Sequence, residues 1–261
     1  MYIPESIKKM IGDRTYSIDT IGQSSSQVIC FDDMVLKIEK QSEEADNEYR
    51  MMGWLFDKLP VPKILCFEKD NNINYLLMSK IEGEILCSTE MLENPEYLVK
   101  LLADGLKMLW SIDISSCPYR NAVSDKLRLA EYKIENNLCD IENVEPETYG
   151  ENGFESPLNL LQWLKENKPT EELVFSHGDY CLPNIFVKDE KISGFIDLGR
   201  SGVADKYQDI ALCYRSLQRN LNGAYGGKVY NTFDATLLFN ELEIEPDFEK
   251  INYFNLLDEL F

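Results

Sequence analysis

The stretch from Val174 to Arg200 reads VFSHGDYCLPNIFVKDEKISGFIDLGR and contains His177, the one histidine of the chain. Between Asn184 and Asp197 lie two apolar strand-like runs, "IFVK" and "ISGFI", parted by a short polar break. Such a pair predicts a β-hairpin. With Glu190 and Lys191 as the central pair of the turn, the ladder runs outward to set Asn184 opposite Asp197. Directly opposed side chains on one face have Cβ atoms about 4.5–5.5 Å apart. An aspartate and an amide oxygen at that separation suit magnesium, which takes one or two carboxylates plus waters and substrate phosphates. Asp179, in the loop before Asn184, is then left to accept a proton from a substrate hydroxyl. The alternative is an ordinary hairpin whose Asp and Asn residues serve as turn and cap residues. Gly178 before Asp179 and Gly199 after Asp197 add weight to the functional reading. His177 follows the apolar "LVFS" and reads as a brace for the loop rather than as a reacting group. No G-x-S-x-G elbow surrounds a serine, so a Ser-His-Asp hydrolase is not indicated.

Upstream, residues 15–38 hold strand-like segments, "TYSIDTI", "QVICF" and "MVLKIE", which predict a small antiparallel sheet. The pattern turns helical from Glu43 to Leu59, with Ala45, Glu48, Met52, Leu55 and Leu59 on one stripe. A carboxylate on an apolar stripe calls for a cation, because charges are almost never buried alone. Lys37, in the otherwise buriable "VLKIE", is the candidate. A lysine held by a carboxylate presents its ammonium at a defined point, where it can hold phosphate oxygens; a simple buried ion pair is the alternative. The loop "GQSSSQ" from Gly22 to Gln27 could wrap backbone N–H groups around phosphates, although one glycine and no Walker lysine make it a weak signal.

After a strand pair around an Asp-Asn-Asn turn ending near Ile81, helical spacing dominates: Leu98, Leu101, Leu102, Leu106 and Leu109, then Leu127 to Leu138. Asn143 to Ser156 reads as a loop. Helical patterns return at Lys206 to Leu221, Tyr230 to Leu242 and Phe248 to Leu260. The expected layout is α+β: a mostly β part, residues 1–82, joined near Glu82-Gly83 to a mostly helical part, residues 83–261.

Forty-six acidic against 26 basic residues give a formal charge of -20. That field repels nucleic acid and anionic lipid, and it attracts cationic ligands such as polyamines or aminosugars. Net acidity can also serve solubility alone. The seven scattered cysteines form no C-x-x-C pair, which fits a reducing, cytoplasmic setting without structural zinc. The start lacks the apolar core of a signal peptide, and no run approaches the length of a membrane span.

"HGDYCLPN" followed by "IDLGR" resembles the catalytic loop and metal-binding motif of the aminoglycoside 3'-phosphotransferases, relatives of the eukaryotic protein kinases. The likeness extends through "LPVPKIL", "LLMSKIEG", "SIDISSCPY", "SGVADKYQDIA" and the closing "LLDELF". It implies a two-lobed, protein-kinase-like fold with ATP or GTP and Mg2+ bound between the lobes, 1–82 being the nucleotide-binding lobe and 83–261 the catalytic and substrate-binding lobe. Asp179 would be the catalytic base, with Arg200 nearby to fix it, and Asn184 and Asp197 the metal ligands. Lys37 would hold phosphate with Glu48 as its partner. Ser24 and Ser25 would meet the nucleotide phosphates and the backbone from Ser79 to Ile81 the base, while Asp209 would brace the catalytic loop. Asp258, Glu259 and Phe261, with its carboxylate, would bind substrate ammonium groups.

Some relatives carry an aspartate at Leu182 and a glutamate at Arg219, so both departures remove negative charge from the substrate side. The activity implied is γ-phosphate transfer to a hydroxyl of aminoglycosides such as kanamycin or neomycin, an antibiotic-resistance reaction in a cytoplasmic monomer or homodimer. A kinase for choline or another amino alcohol, and a silent kinase-shaped binding protein, are the competing readings.

Overall fold

The computed structural model describes residues 2–18, 26–139, 144–145, 147–151, 153–225, 227–230 and 233–261. By its internal contacts the chain forms two compact units, Met1–Leu86 with Pro183–Ser201, and Cys87–Leu182 with Gly202–Phe261. The first unit thus takes in the central hairpin, which chain order places 100 residues after the sheet.

The first unit begins with helix α1 (Glu5–Ile11), which the sequence analysis did not anticipate. Strands β1 (Ser17–Ile18), β2 (Gln27–Cys30) and β3 (Met34–Lys40) follow, then helix α2 (Glu43–Leu55) and strands β4 (Ile64–Asp70) and β5 (Ile73–Ser79). These strands make one antiparallel sheet in the order β1-β2-β3-β5-β4. Asn71 and Asn72 between β4 and β5 both take positive φ, at 49° and 62°, as a two-residue hairpin turn requires. Period-two alternation along β3 buries Met34 and Leu36 on one face, where Ile7 of α1, Ile29, Phe31, Tyr75 and Leu77 complete a core. Lys37 and Glu39 therefore face the other side. Helix α2 is shorter than the expected Glu43–Leu59. The Ser42 side chain caps it by accepting from the Ala45 N–H at 3.0 Å, and Met51, Met52 and Leu55 are buried along it.

The hairpin consists of β8 (Ile185–Lys188) and β9 (Lys191–Phe195), joined on one edge by β6 (Glu84–Ile85). Its turn comes one residue earlier than the expected Glu190-Lys191 pair. Lys188 pairs with Lys191, and the turn residues are Asp189 and Glu190, at φ 50° and 62°. Ser193 is then an extra residue, because Val187 pairs with Ile192 and Phe186 with Gly194. A bulge of this kind shifts every rung beyond it. The Ser193 hydroxyl donates to the Glu82 carbonyl at 2.7 Å. A Cβ on Gly194 would come within 2.5 Å of the Ile81 side chain, so only glycine lets β9 approach the Ser79–Ile81 segment this closely.

The second unit contains α3 (Thr89–Leu92), α4 (Pro95–Trp110), α5 (Val123–Glu135), α6 (Pro157–Glu166), α7 (Lys206–Leu221), α8 (Leu237–Leu242) and α9 (Phe248–Asp258). A two-stranded ladder pairs β7 (Leu173–Ser176) with β10 (Gly202–Asp205), and both α4 and α7 pack on β7. The helix expected over Leu127 to Leu138 begins and ends earlier, and that expected from Tyr230 forms only from Leu237, residues 231 and 232 lying outside the described ones. The described residues of the Asn143 to Ser156 loop contain no helix or strand longer than a single bridge, Tyr149 with Phe154.

Candidate active site

In the first unit, Lys37 sits on the α2-facing side of β3. Its Nζ donates to Glu48 Oε2 at 2.7 Å and to Asp197 Oδ1 at 2.9 Å, and stands 3.8 Å from Glu39 Oε1. Glu48 is 2% exposed, whereas the Asp197 side chain is 48% exposed. Burial alone would lower the Lys37 ammonium, but the charges of Glu48, Asp197 and Glu39 outweigh it and raise the lysine above its ordinary value. Burial pushes the Glu48 carboxyl upward, opposed by Lys37 and by a hydrogen bond from the Leu198 N–H. The lysine therefore stays charged, fixed by two carboxylates from elements far apart in sequence.

Asp197 adopts the left-handed conformation, φ 61° and ψ 56°, at the head of a 3-10 turn over Leu198–Arg200. A non-glycine residue in this region carries local strain of the kind that clusters at functional sites. Asn184 is buried and ends another 3-10 turn, Leu182–Asn184. It does not face Asp197 across the ladder as expected. The Ile196 N–H donates to the Asn184 carbonyl at 3.0 Å, so Asp197 lies one residue beyond that rung. The bulge at Ser193 and the earlier turn together produce the offset.

The donor set fits a hard divalent cation. Asn184 and Asp197 would offer it an amide and a carboxylate oxygen, and three carboxylates surround the Lys37 ammonium, leaving a local negative surplus. Among the described residues no three His, Cys, Asp or Glu side chains form a metal-holding group, so an ion here would draw further oxygens from a phosphate ligand or water.

Glu39 was missed in the sequence, although its position two residues after Lys37 puts it on the same strand face. Burial, opposed by Lys37 and assisted by Glu48 and Asp197, pushes its carboxyl up to about 7. Between the ordinary carboxylate value and about 7 the folded chain keeps a proton that the unfolded chain has lost, so stability falls as pH rises through that window. Glu39→Gln removes this loss. We expect its melting temperature to match wild type near pH 5 and to exceed it at pH 8 by about 3 °C, roughly 1 kcal/mol after allowance for the partly exposed side chain. Differential scanning fluorimetry across that range checks it; a gap that does not widen with pH refutes the assignment.

In the second unit, the loop after β7 is fixed from below. Asp209 on α7 is fully buried and accepts from the His177 N–H at 2.7 Å and the Gly178 N–H at 2.9 Å. Burial raises its carboxyl, opposed by His177 and by these hydrogen bonds. His177 Nδ1 accepts from the Asp179 N–H at 3.3 Å, and the Ser216 hydroxyl accepts from the Leu182 N–H at 3.2 Å. Tyr180, wholly buried, donates to the Leu102 carbonyl of α4 at 2.8 Å. His177 thus braces the loop, as its sequence context suggested, and Asp179 stays partly exposed.

The remaining expected residues are placed as follows. Arg200 stands 3.4 Å from Glu44 of α2. The Ser79 N–H donates to Lys63 and the Lys80 N–H to Asp33, while Ile81 packs toward Gly194. Ser24 and Ser25 lie outside the described residues. Asp258 and Glu259 are both engaged by Arg215 of α7, Glu259 at 3.3 Å. Arg219, one turn on, pairs with Glu145. The Phe261 ring lies 5.0 Å from Lys126 Nζ and 4.8 Å from Lys133 Nζ. Arg215 and Arg219 also line a cavity of about 630 Å³ with Glu145, Tyr230, Asp234 and Asn255. Leu182 is fully buried. Spacing gave no sign that Arg215 would balance the two acidic residues near the end of the chain.

Residues 15–239 match the phosphotransferase enzyme family. The chain is 43% identical to an aminoglycoside 3'-phosphotransferase of Enterococcus faecalis, covering all of this chain and 99% of the relative, and 42% identical to one of Staphylococcus aureus at the same coverage. Its fold is shared with an aminoglycoside phosphotransferase from Streptomyces rimosus solved in complex with ADP and streptomycin, with a TM-score of 0.76 at 21% identity over 97% of this chain and 95% of that one. A charged lysine clamped between two carboxylates, an Asp-bearing loop braced by a buried aspartate, and sequence identity over the whole length converge: the chain belongs to the phosphotransferase enzyme family, as one of its aminoglycoside 3'-phosphotransferases.

Proposed function

We propose that this enzyme transfers the γ-phosphoryl group of ATP or GTP to the 3'-hydroxyl of aminoglycosides such as kanamycin and neomycin, and so inactivates the antibiotic. The observation that carries the reading is the Lys37 ammonium held at 2.7 Å by Glu48 and at 2.9 Å by Asp197, a preorganised cation for phosphate oxygens. Residues 1–82 bind the nucleotide: Lys37 holds its phosphates, Ser24 and Ser25 contribute donors to them, and the Ser79 to Ile81 backbone meets the base.

Residues 83–261 carry catalysis and the acceptor. Asp179 accepts the proton of the 3'-hydroxyl as its oxygen bonds to the γ-phosphorus and the bond to the leaving nucleoside diphosphate breaks. Arg200 fixes the base, and Asn184 and Asp197 hold Mg2+. When bound, that ion neutralises charge on the transferring phosphoryl group. Asp258, Glu259 and Phe261 receive substrate ammonium groups, in competition with Arg215 for the two carboxylates.

The enzyme is a cytoplasmic monomer or homodimer; the seven free thiols support a reducing compartment. Phosphorylation adds negative charge to a drug whose hold on RNA depends on positive charge.

The test is mass spectrometry of kanamycin, lividomycin A and choline, each incubated with the protein, magnesium and either nucleotide. Kanamycin gains one phosphate; lividomycin A, which lacks a 3'-hydroxyl, does not; choline stays unmodified. Phosphorylated lividomycin A moves the reaction to another oxygen, and phosphorylated choline alone overturns the substrate class.

A further inference from the structure

Asn47 is fully buried on α2, next to Glu48, and no feature of the reading above uses it. Its Nδ2 donates to the Gly199 carbonyl and to the Ser201 carbonyl, both at 2.9 Å. These carbonyls belong to the end of the 3-10 turn that Asp197 opens, where backbone acceptors lack partners inside the turn. The Asn47 Oδ1 is buried with no hydrogen-bond partner. An apolar side chain of similar size would avoid that cost. What it would not supply is the paired donor.

The rest of α2 holds the same turn. Glu48 accepts from the Leu198 N–H, Glu44 stands 3.4 Å from Arg200, and a Cβ on Gly199 would sit 3.0 Å from the Glu44 carbonyl. One helical turn of α2 therefore grips the backbone on both sides of Gly199, in donors and acceptors alike. The grip falls on the backbone that immediately follows Asp197.

We propose that Asn47 is a positioning residue, which locks the turn after Asp197 to α2 so that one Asp197 carboxylate is held ready for Lys37 and for the divalent ion at once. The proposal rests on the reading of Asp197 as an ion ligand, and its test separates the two. Two variants are compared with wild type: Asn47→Ala, and Asn47→Leu, which keeps the branched shape and removes the orphan acceptor.

In the nucleotide-free protein, hydrogen–deuterium exchange of the peptide spanning 196–202 speeds up at least tenfold in both variants, while exchange elsewhere in α2 holds. In the presence of ADP, Mn2+ binding followed by electron paramagnetic resonance weakens about tenfold, and the KM for kanamycin does not change. Asn47→Leu leaves the Gly199 and Ser201 carbonyls without their donor and melts below wild type, but the unchanged KM for kanamycin and unchanged exchange elsewhere in α2 confine its effect to the turn, which a general loss of structure would not. Wild-type exchange and Mn2+ affinity in Asn47→Leu overturn the proposal. An Asp197→Ala control that still binds Mn2+ normally overturns the ion reading instead.

Discussion

Asp179→Asn lowers kcat by about a thousandfold, within the range attributed to a positioned general base, and leaves the KM for nucleotide and for aminoglycoside within about threefold of wild type. Asparagine keeps the shape of the side chain but cannot take up a proton at neutral pH. The loop has anchors besides that carboxylate. The Asp179 N–H donates to His177 Nδ1, the Cys181 N–H donates to the Asp179 carbonyl, and Asp209, Ser216 and Tyr180 hold the flanking residues. Thermal melting establishes that the variant is folded, and steady-state kinetics on the folded protein then isolates the chemical step. Retention of more than a tenth of wild-type kcat removes Asp179 from the role of base.

Glu48→Ala has the second large effect, on stability as well as on rate. The carboxylate it removes is buried and 2.7 Å from a lysine that is itself mostly hidden from water. Breaking a buried pair by deleting one partner costs about 3 kcal/mol or more, because the remaining charge loses its compensation. For a protein of this size that corresponds to a drop of about 6–12 °C in melting temperature. Asp197 and Glu39 remain near Lys37 and set the cost at the low end.

The KM for nucleotide should rise, since the freed ammonium no longer has one defined position. A double variant, Lys37→Met with Glu48→Leu, separates the two consequences. Replacing a buried ion pair by apolar groups is commonly neutral for stability, so thermal melting recovers in part, Glu39 and Asp197 having lost their shared cation, while phosphoryl transfer does not recover. Recovery of both would show that the pair is structural and that phosphate is held elsewhere.

The parts of the site that were legible in the sequence are those whose geometry is local. "HGDYCLPN" and "IDLGR" flank two short apolar runs, and a hairpin follows from that pattern alone. Glu48 stood out because a charge on an apolar helical stripe demands a partner, and Lys37 was the cation on a neighbouring buried strand. The register of the hairpin was misjudged by one rung. Asp189 and Glu190 adopt positive φ without a glycine between them, and Ser193 bulges out of the ladder; the bulge lies where β9 meets Glu82 and Ile81, contacts distant in sequence that composition does not announce. Asn47 went unnoticed for a related reason. On a helix wheel it is one polar residue among several, and its meaning lies in two carbonyls more than 150 positions away.

The sequence by itself pointed to the class of chemistry: the carboxylate proposed as base, the two oxygen donors proposed as ligands and the buried lysine are residue types, and their spacing follows from strand and helix periods that every chain obeys. Only the tertiary structure decided which charges meet. It set Asp197 beside Lys37 across a separation of 160 residues, gave Asp258 and Glu259 to Arg215, and placed three carboxylates around one ammonium. Backbone periodicity carries information over a few residues, whereas the partner of a buried charge is chosen by the packing of elements distant along the chain.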